Sequence, residues 1–332
     1  MTTTELRCPS CGESSAPDAR FCEACGGLLD STAEIATTDA APVASGRACV
    51  DCGAPGEQIG ADGYCQLCGR KQPAAHDHEE LVLHGVVAVT DRGLTHHRNE
   101  DAYACAVAPG AVVVMVCDGV SSTADSDRAA IEASAAGRDH ALAQLAGGAT
   151  PFEAARGAIG PAQKAAAAVP RTTGEVASCT AVIFVARAAP SDAAPASWQC
   201  AVAWLGDSRA YRWRDGTVEQ MTEDHSWATE QMRHGMSSAD AFADPRCHSI
   251  TRWLGADAVD LEPSVHEFDA VAGDRVLVVS DGLWNYVPDT AALLTLLANR
   301  GTGDTLESVR ALVDYANEQG GHDNITVAVA TF

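Results

Sequence analysis

Eight of the 13 cysteines lie within the first 68 residues as four pairs, each with two residues between its members. The pairs are Cys8 and Cys11, Cys22 and Cys25, Cys49 and Cys52, and Cys65 and Cys68. Two intervening residues allow a tight turn to present both thiolates to one metal ion, and a short hairpin can return with the next pair. The spacing therefore predicts two tetrahedral Zn²⁺ sites, one for each set of four, rather than disulfides or redox motifs.

A glycine follows the second cysteine of every pair, at Gly12, Gly26, Gly53 and Gly69. A backbone that can take a positive φ lets amide groups turn toward the sulfurs. Segments this short bury too little apolar surface to fold alone, so metal binding would supply most of their folding free energy. The arrangement resembles the double zinc ribbons of prokaryotic signalling proteins, which implies partner binding or positioning rather than catalysis.

Acidic residues at the ends of predicted strands form the second candidate set. Asp118, Asp207 and Asp281 each follow an apolar run, whereas Glu100, Asp101 and Asp323 precede one. In antiparallel strands such ends can meet, and the gathered carboxylates would repel one another unless hard divalent cations neutralise them. Oxygen ligands favour Mg²⁺ or Mn²⁺ over zinc.

The order of these motifs resembles that of the type 2C metal-dependent protein phosphatases across residues 85–331. Along the chain the motifs are TDRGLTHHRNEDAY, CDGVSS, SCTAVIF, WLGDSRAYRW, MTEDHSW, ITRWLG, SDGLW and HDNITVAV. The resemblance implies an α+β fold, a four-layer α-β-β-α sandwich of two antiparallel sheets flanked by helices. Helices are predicted at 124–146, 151–168, 289–300 and 303–318.

The resemblance also assigns site roles. It implies that Asp118 bridges two Mn²⁺ or Mg²⁺ ions and that Asp281 and Asp323 complete one site. The second ion would take the Gly119 carbonyl and, through water, Glu100 and Asp101, and Asp207 matches a weaker third-metal position. Asp118, Asp281 and Asp323 would then hold the nucleophilic water that hydrolyses phosphoserine or phosphothreonine in proteins.

Two positions depart from the family pattern. The phosphate-binding arginine expected four residues before Glu100 is replaced by His96, and Arg98 follows two positions later. Both His96 and Arg98 are candidate phosphate contacts. CDGVSS also lacks the usual glycines after Asp118. These differences leave an alternative open, a catalytically weak pseudophosphatase that acts as a signalling scaffold or adaptor.

Composition limits the possible partners. Lys and Arg number 22 against 45 Asp and Glu, for a net charge of -23, and residues 1–80 carry 13 acidic and 5 basic side chains. This balance disfavours nucleic acid and anionic membranes. The sequence shows no secretory signal or long apolar span, which predicts a cytoplasmic protein. By resemblance, the substrates are phosphoproteins of a bacterial-type Ser/Thr kinase, and the ribbons bind a protein partner.

The chain divides into five predicted parts. Zinc ribbons at 1–29 and 48–71 are separated by a linker at 30–47, and a second linker at 72–80 leads to a phosphatase domain at 81–332. The linkers are assigned from small and polar residues without periodicity. His76 and His78 are expected to be solvated there, and residues 225–247 are expected to form a surface flap near the site.

Overall fold

The computed structural model describes residues 6–7, 14–15, 34–37, 48–49, 52–60, 63–70, 72, 74–123, 125–170, 174–189, 197–300 and 306–332. The strands are β1 Leu6–Arg7, β2 Ser14–Ser15, β3 Glu34–Thr37, β4 His78–Leu83, β5 Val86–Asp91, β6 Ala102–Ala108, β7 Ala111–Cys117, β8 Ser178–Cys179, β9 Ala181–Ala188, β10 Ser197–Leu205, β11 Arg209–Arg214, β12 Thr217–Gln220, β13 Leu254–Gly255, β14 Ser264–Val271, β15 Arg275–Val279 and β16 Ile325–Thr331. The helices are α1 Ser126–Ala146, α2 Pro151–Ala167, α3 Trp227–Arg233, α4 Ser238–Ala243, α5 Asp281–Trp284, α6 Thr290–Arg300 and α7 Leu306–Glu318.

Two six-stranded antiparallel sheets form the centre of the molecule. The first has the order β14-β10-β9-β7-β6-β3, and the second has the order β12-β11-β15-β16-β5-β4. Their facing sides bury a shared core that includes Phe184, Val114 and Val278. Every residue of β7 is buried, because both faces of a central strand are covered here. That burial accounts for the unbroken apolar run before Asp118.

Helices cover the outer face of each sheet. α1 and α2 pack on the first sheet through small side chains such as Ala129, Ala133 and Ala158. α6 and α7 pack on the second sheet. α2 begins at a capping box, in which the Thr150 side chain accepts from the Glu153 amide. The predicted four-layer sandwich is confirmed, and the four predicted helices lie within a few residues of their expected bounds.

A strand occupies part of the segment that the sequence assigns to the linker at 30–47. β3 pairs with β6, with Glu34 opposite Val107 and Thr37 opposite Ala104. The Arg138 side chain donates to the Ala36 carbonyl over 3.0 Å. The sheet therefore extends into the N-terminal region. Four residues are too few for a periodic pattern, which is why the sequence did not predict this strand.

The second predicted linker, 72–80, also differs from expectation. A 3-10 turn at Ala75–Asp77 leads into β4, so the boundary at residue 80 falls inside a strand. His76 is only 8% exposed, and the expectation that it is solvated is wrong, because the turn packs against the loop before β6. The His78 side chain is half exposed and contacts Asp91 over 2.7 Å.

Two short helices, α3 and α4, lie in the predicted flap at 225–247. Each begins at a serine, Ser226 or Ser237, whose side chain accepts from a backbone amide in the first turn. In the part of the chain that the structure describes, no helix has the length and apolar character needed to cross a membrane.

Candidate active site

The ends of β7, β15 and β16 position three of the predicted aspartates. Asp118 directly follows β7, Asp281 is the first residue of α5 just after β15, and Asp323 lies two residues before β16. β15 and β16 are antiparallel, with Val279 opposite Val327. The end of one strand and the start of the other therefore share an edge, which brings Asp281 and Asp323 together. Asp118 reaches them from the facing sheet.

The electrostatics of these carboxyl groups confirm that they are close. Burial raises the pKa of Asp118 well above its ordinary value, and Asp101, Asp281 and Asp323 raise it further. Burial, followed by the charge of Asp323, raises the pKa of Asp281 to about 7. These carboxyl groups therefore lie so close together that their negative charges repel one another.

Backbone contacts hold Asp118 in place. Its carbonyl accepts from the Thr180 amide over 2.7 Å, and its amide donates to Thr180 Oγ1 over 3.2 Å. Gly119 follows, and its amide donates to the Glu100 carbonyl over 3.1 Å. The SCTAVIF and NED motifs of the sequence therefore meet around Asp118.

Asp101 lies deeper in the same cluster. It is 1% exposed, and burial raises its pKa to about 8 although the hydrogen bond from Ser280 opposes the shift. Among the described residues, Asp101 Oδ1 and Asp281 Oδ1 are buried oxygens with no hydrogen-bond partner. Orphaned carboxylate oxygens in an acidic cluster fit the donor set of a hard divalent cation.

Glu100 is held by two neighbours. Arg98 donates to Glu100 Oε1 through Nε over 2.8 Å and through Nη2 over 2.6 Å. Ser126 Oγ donates to the same oxygen over 2.7 Å. Arg98 therefore binds a carboxylate of the cluster rather than pointing freely toward a ligand. His96, the second candidate phosphate contact, places Nε2 3.3 Å from Asp323 Oδ1.

Asp207 lies at the edge of the cluster. It is 6% exposed, and its pKa is raised by burial and then by the charges of Asp281 and Asp224. Nearby, Arg209 binds Asp224 through two hydrogen bonds of 2.9 and 2.7 Å. The Arg209 guanidinium also stacks over the Trp284 ring, 3.6 Å from its centroid.

Asn324 is a site residue that sequence reasoning missed as an individual contributor. Its Oδ1 accepts from the Glu100 amide over 2.8 Å. Its Nδ2 donates to the Arg92 carbonyl over 2.8 Å and to the Arg98 carbonyl over 3.0 Å. The one available signal was its place directly after Asp323 in the HDNITVAV motif. Through these contacts, Asn324 holds the loop that contains Glu100 against the start of β16.

The second cysteine set forms a compact thiol group. Sulfur atoms of Cys49, Cys52, Cys65 and Cys68 all lie within 4.8 Å of one another. Gly53 and Gly69 have φ values of 71° and 72°, and their amides donate to the Cys49 and Cys65 carbonyls over 2.9 and 2.8 Å. The predicted turn after each pair is confirmed for this set. Cys8, Cys11, Cys22 and Cys25 lie outside the described residues.

Four sulfurs at this spacing fit a tetrahedral zinc site. The Arg70 backbone amide favours the thiolate of Cys68, yet burial and the adjacent sulfurs raise the pKa of Cys68 to about 12. A divalent cation bound by the four sulfurs would offset the repulsion between their thiolate charges. This thiol group is the one cluster in the described part of the chain with three or more potential ligand atoms so close together. The carboxylates of the acidic cluster are more widely spaced, so cations there would share their coordination with water.

Comparisons with known proteins agree with this arrangement. Residues 94–319 match the family model described as Protein phosphatase 2C, and residues 8–69 match the Double zinc ribbon model. Serine/threonine phosphatase stp of Listeria welshimeri is 38% identical over 131 residues, covering 39% of this chain and 50% of that protein. Serine/threonine protein phosphatase PstP of Mycobacterium tuberculosis is 36% identical over 127 residues, covering 38% of this chain and 24% of that protein. The matched region thus spans about half or less of these curated relatives.

Solved structures match over a longer stretch. A crystal structure of PstP/Ppp from M. tuberculosis is 26% identical with a TM-score of 0.56, covering 74% of this chain and 97% of that chain. MsPP from Mycobacterium smegmatis is 29% identical with a TM-score of 0.55 and the same coverage. A structure of the PstP catalytic domain with two manganese ions is 25% identical with a TM-score of 0.53, covering 74% of this chain and 96% of that chain.

Proposed function

The chain belongs to the protein phosphatase 2C family, and on this basis we propose that it hydrolyses phosphoserine and phosphothreonine in proteins. One observation carries the proposal: Asp118, Asp281 and Asp323 gather at the strand ends together with buried carboxylate oxygens that have no partner among the described residues. Such a cluster is stable at neutral pH when divalent cations offset its charge.

We assign the cation ligands as follows. Asp118 would bridge two Mn²⁺ or Mg²⁺ ions, with Asp281 and Asp323 at one and the Gly119 carbonyl at the other. Glu100 and Asp101 would act through water, and Asp207 would serve a third, weaker position. Bound there, the cations would lower the pKa of a shared water and offset charge on the phosphoryl group. The two manganese ions named for the similar PstP structure support this assignment.

The protein's own side chains orient this arrangement. Ser280 donates to Asp101 over 2.6 Å, and Arg98 with Ser126 fixes Glu100. The His96 ring lies beside Asp323, and its side chain is 24% exposed. We propose that His96 contacts the substrate phosphate, where the family pattern has an arginine, and that Arg98 orders Glu100.

The test is phosphate release from a phosphothreonine peptide in the presence of Mn²⁺. Asp118→Asn and Asp281→Asn keep the side-chain volume but remove the charge that holds a cation. Each is expected to lower kcat by about a thousandfold or more, which corresponds to about 4 kcal/mol of lost stabilisation. Asp314→Asn, on the exposed face of α7, is the matched control and should retain full activity. A folded wild-type protein that releases no phosphate would overturn the proposal in favour of a scaffold.

The ribbons belong to the same proposal. We propose one structural Zn²⁺ in each set of four cysteines, a protein partner for the ribbons, and substrates phosphorylated by a bacterial-type Ser/Thr kinase. Thiolate sites persist in reducing compartments, which supports a cytoplasmic location. The partner's surface is expected to carry positive charge, because residues 1–80 hold 13 acidic and 5 basic side chains.

A further inference from the structure

A continuous set of buried polar side chains connects the turn at Ala75–Asp77, which follows the second cysteine set, to the acidic cluster. Thr90, Asn99, Asp101, Ser280 and Thr326 are each no more than 1% exposed. Buried polar groups require partners, because a buried donor or acceptor without a hydrogen bond has lost its water partners and gained nothing in return. Most of the partners here are the other members of the set.

Asn99 is the link between the turn and the cluster. Its Nδ2 donates to the His76 carbonyl over 3.1 Å and to Thr90 Oγ1 over 2.8 Å. Its Oδ1 accepts from the Asp101 amide over 3.2 Å. One end of this side-chain amide therefore holds the turn at Ala75–Asp77, and the other end holds the backbone of a predicted cation-site residue.

The remaining members close a ring around Asp101. Thr90 Oγ1 and Thr326 Oγ1 are 2.6 Å apart, and the Thr326 amide donates to Ser280 Oγ over 2.9 Å. Ser280 Oγ in turn donates to Asp101 Oδ2 over 2.6 Å. One carboxylate oxygen of Asp101 is thereby fixed, and the other, Oδ1, is buried without a partner among the described side chains and backbone groups.

The turn is itself rigidly attached. The Asp77 side chain accepts from the Ala74 amide over 2.9 Å, and the Asp77 carbonyl accepts from the Arg92 amide over 2.8 Å. Gln72, just before the turn, donates to Cys49 Sγ over 3.2 Å. The contacts therefore run from a thiol of the second cysteine set to the loop that precedes Glu100 and Asp101.

We propose that Asn99 is a positioning residue for the acidic cluster, which makes cation affinity there depend on the turn that follows the second cysteine set. Asn99 fixes the Asp101 backbone while Ser280 fixes its carboxylate. The unpartnered oxygen, Asp101 Oδ1, is therefore held in one orientation. This inference rests on the proposed function only in treating the cluster as a cation site. It adds a physical link between the N-terminal module and that site.

The test measures Mn²⁺ binding to the full chain without substrate, from the electron paramagnetic resonance signal of free Mn²⁺. Asn99→Ala is expected to weaken Mn²⁺ binding about tenfold or more, the usual effect of removing a residue that orients a metal ligand. Asp77→Ala loosens the turn and touches no carboxylate of the cluster, and it is expected to weaken binding several-fold. Thr90→Val, which keeps the side-chain volume, is expected to act in the same direction.

Thr222→Val is the matched control. Thr222 is also buried, and its hydroxyl accepts from the Ala210 amide over 3.2 Å, so the variant loses a comparable hydrogen bond elsewhere. Its Mn²⁺ affinity should equal that of the wild type even if its melting temperature falls. Wild-type affinity in folded Thr90→Val and Asp77→Ala would overturn the inference whether or not Asn99→Ala folds.

The two proposals fail in different ways. A wild type that binds Mn²⁺ but releases no phosphate from the phosphothreonine peptide overturns the proposed function and leaves the positioning role of Asn99 standing if its variants lose affinity. A wild type that binds no Mn²⁺ overturns both proposals. An active wild type with unchanged Mn²⁺ affinity in Thr90→Val and Asp77→Ala overturns the inference alone.

Discussion

Gly282, beside the cluster residue Asp281, shows how closely the backbone is packed there. A Cβ added at Gly282 would lie 1.9 Å from the Asn324 carbonyl oxygen. Gly282→Ala therefore forces α5 away from the start of β16 and displaces Asp281 relative to Asp323. We expect a loss of about 1–3 kcal/mol in the free energy of unfolding, the usual cost of overpacking, together with weaker Mn²⁺ binding.

Urea unfolding and Mn²⁺ titration check this expectation. Gly160→Ala is the control, because a Cβ there meets no heavy atom of the described chain within 4 Å and the site lies in α2. Gly160 precedes Pro161, whose ring opposes the gain in helix propensity that alanine brings, so this substitution should change the free energy of unfolding by less than about 1 kcal/mol and leave Mn²⁺ affinity at the wild-type value. Equal stability and Mn²⁺ affinity of Gly282→Ala and the wild type would contradict the packing argument.

His225 predicts a pH dependence of stability. The ring is 4% exposed and stacks on Trp204 with centroids 6.0 Å apart, and burial, followed by Arg252, lowers its pKa to about 4. Its pKa in the unfolded chain is about 6.5. Between these values the unfolded chain binds a proton that the native state does not, so the free energy of unfolding falls as pH decreases through this window.

The comparison that isolates this effect is wild type against His225→Gln, unfolded in urea near pH 7 and near pH 5. Glutamine does not titrate, so the loss of stability between the two pH values should be smaller in the variant by about 2 kcal/mol. The same loss in both proteins would show that His225 is not responsible.

Individual aspartates could be predicted from sequence, whereas their neutral neighbours could not. Asp118 and Asp281 each end an apolar run, a pattern that identifies a strand end and a carboxylate together. Ser280 and Asn324 act through hydrogen bonds to distant residues, and their partners Asp101 and Glu100 lie 179 and 224 residues away. Such contacts depend on strand register and leave no local pattern. The same limit applies to Arg98, whose contact with Glu100 leaves no signal in the local sequence.

The second cysteine set predicts a defined zinc content. Cys65 is 1% exposed and lies within the four-sulfur cluster. Because a serine hydroxyl does not replace a thiolate ligand, Cys65→Ser should lose about one zinc ion per chain. Cys247→Ser, between α4 and β13, is the control and should keep the wild-type content. Measurement is by inductively coupled plasma mass spectrometry, and an unchanged zinc content in Cys65→Ser would refute the site.

Long elements with strong end signals were predictable. α2 carries its capping box and proline in the sequence TPFE, and α7 has a clear apolar face. β3 and the turn at Ala75–Asp77 were not, because each is three or four residues long and is stabilised by partners far along the chain. Parts of the two predicted linkers form regular structure because tertiary pairing, rather than local composition, decides their conformation.

The net charge of -23 predicts a preference among substrates. A phosphothreonine peptide flanked by lysines should be steered to the protein, whereas one flanked by glutamates should be repelled. We expect kcat/KM for the basic peptide to be about tenfold higher at low salt, with the difference shrinking as the Debye length falls to about 3 Å near 1 M salt. A salt-independent ratio would rule out long-range steering.

The pairing of β3 with β6 bears on how the catalytic part can be isolated. A polypeptide started at residue 80 lacks the outermost strand of the first sheet and leaves the backbone groups of Ala104 to Val107 open along that edge. Uncovered edges invite strands from other molecules, so such a fragment would tend to dimerise or precipitate. A polypeptide that begins before Glu34 keeps β3 on that edge. Part of the N-terminal region therefore protects the sheet as well as connecting the cysteine sets.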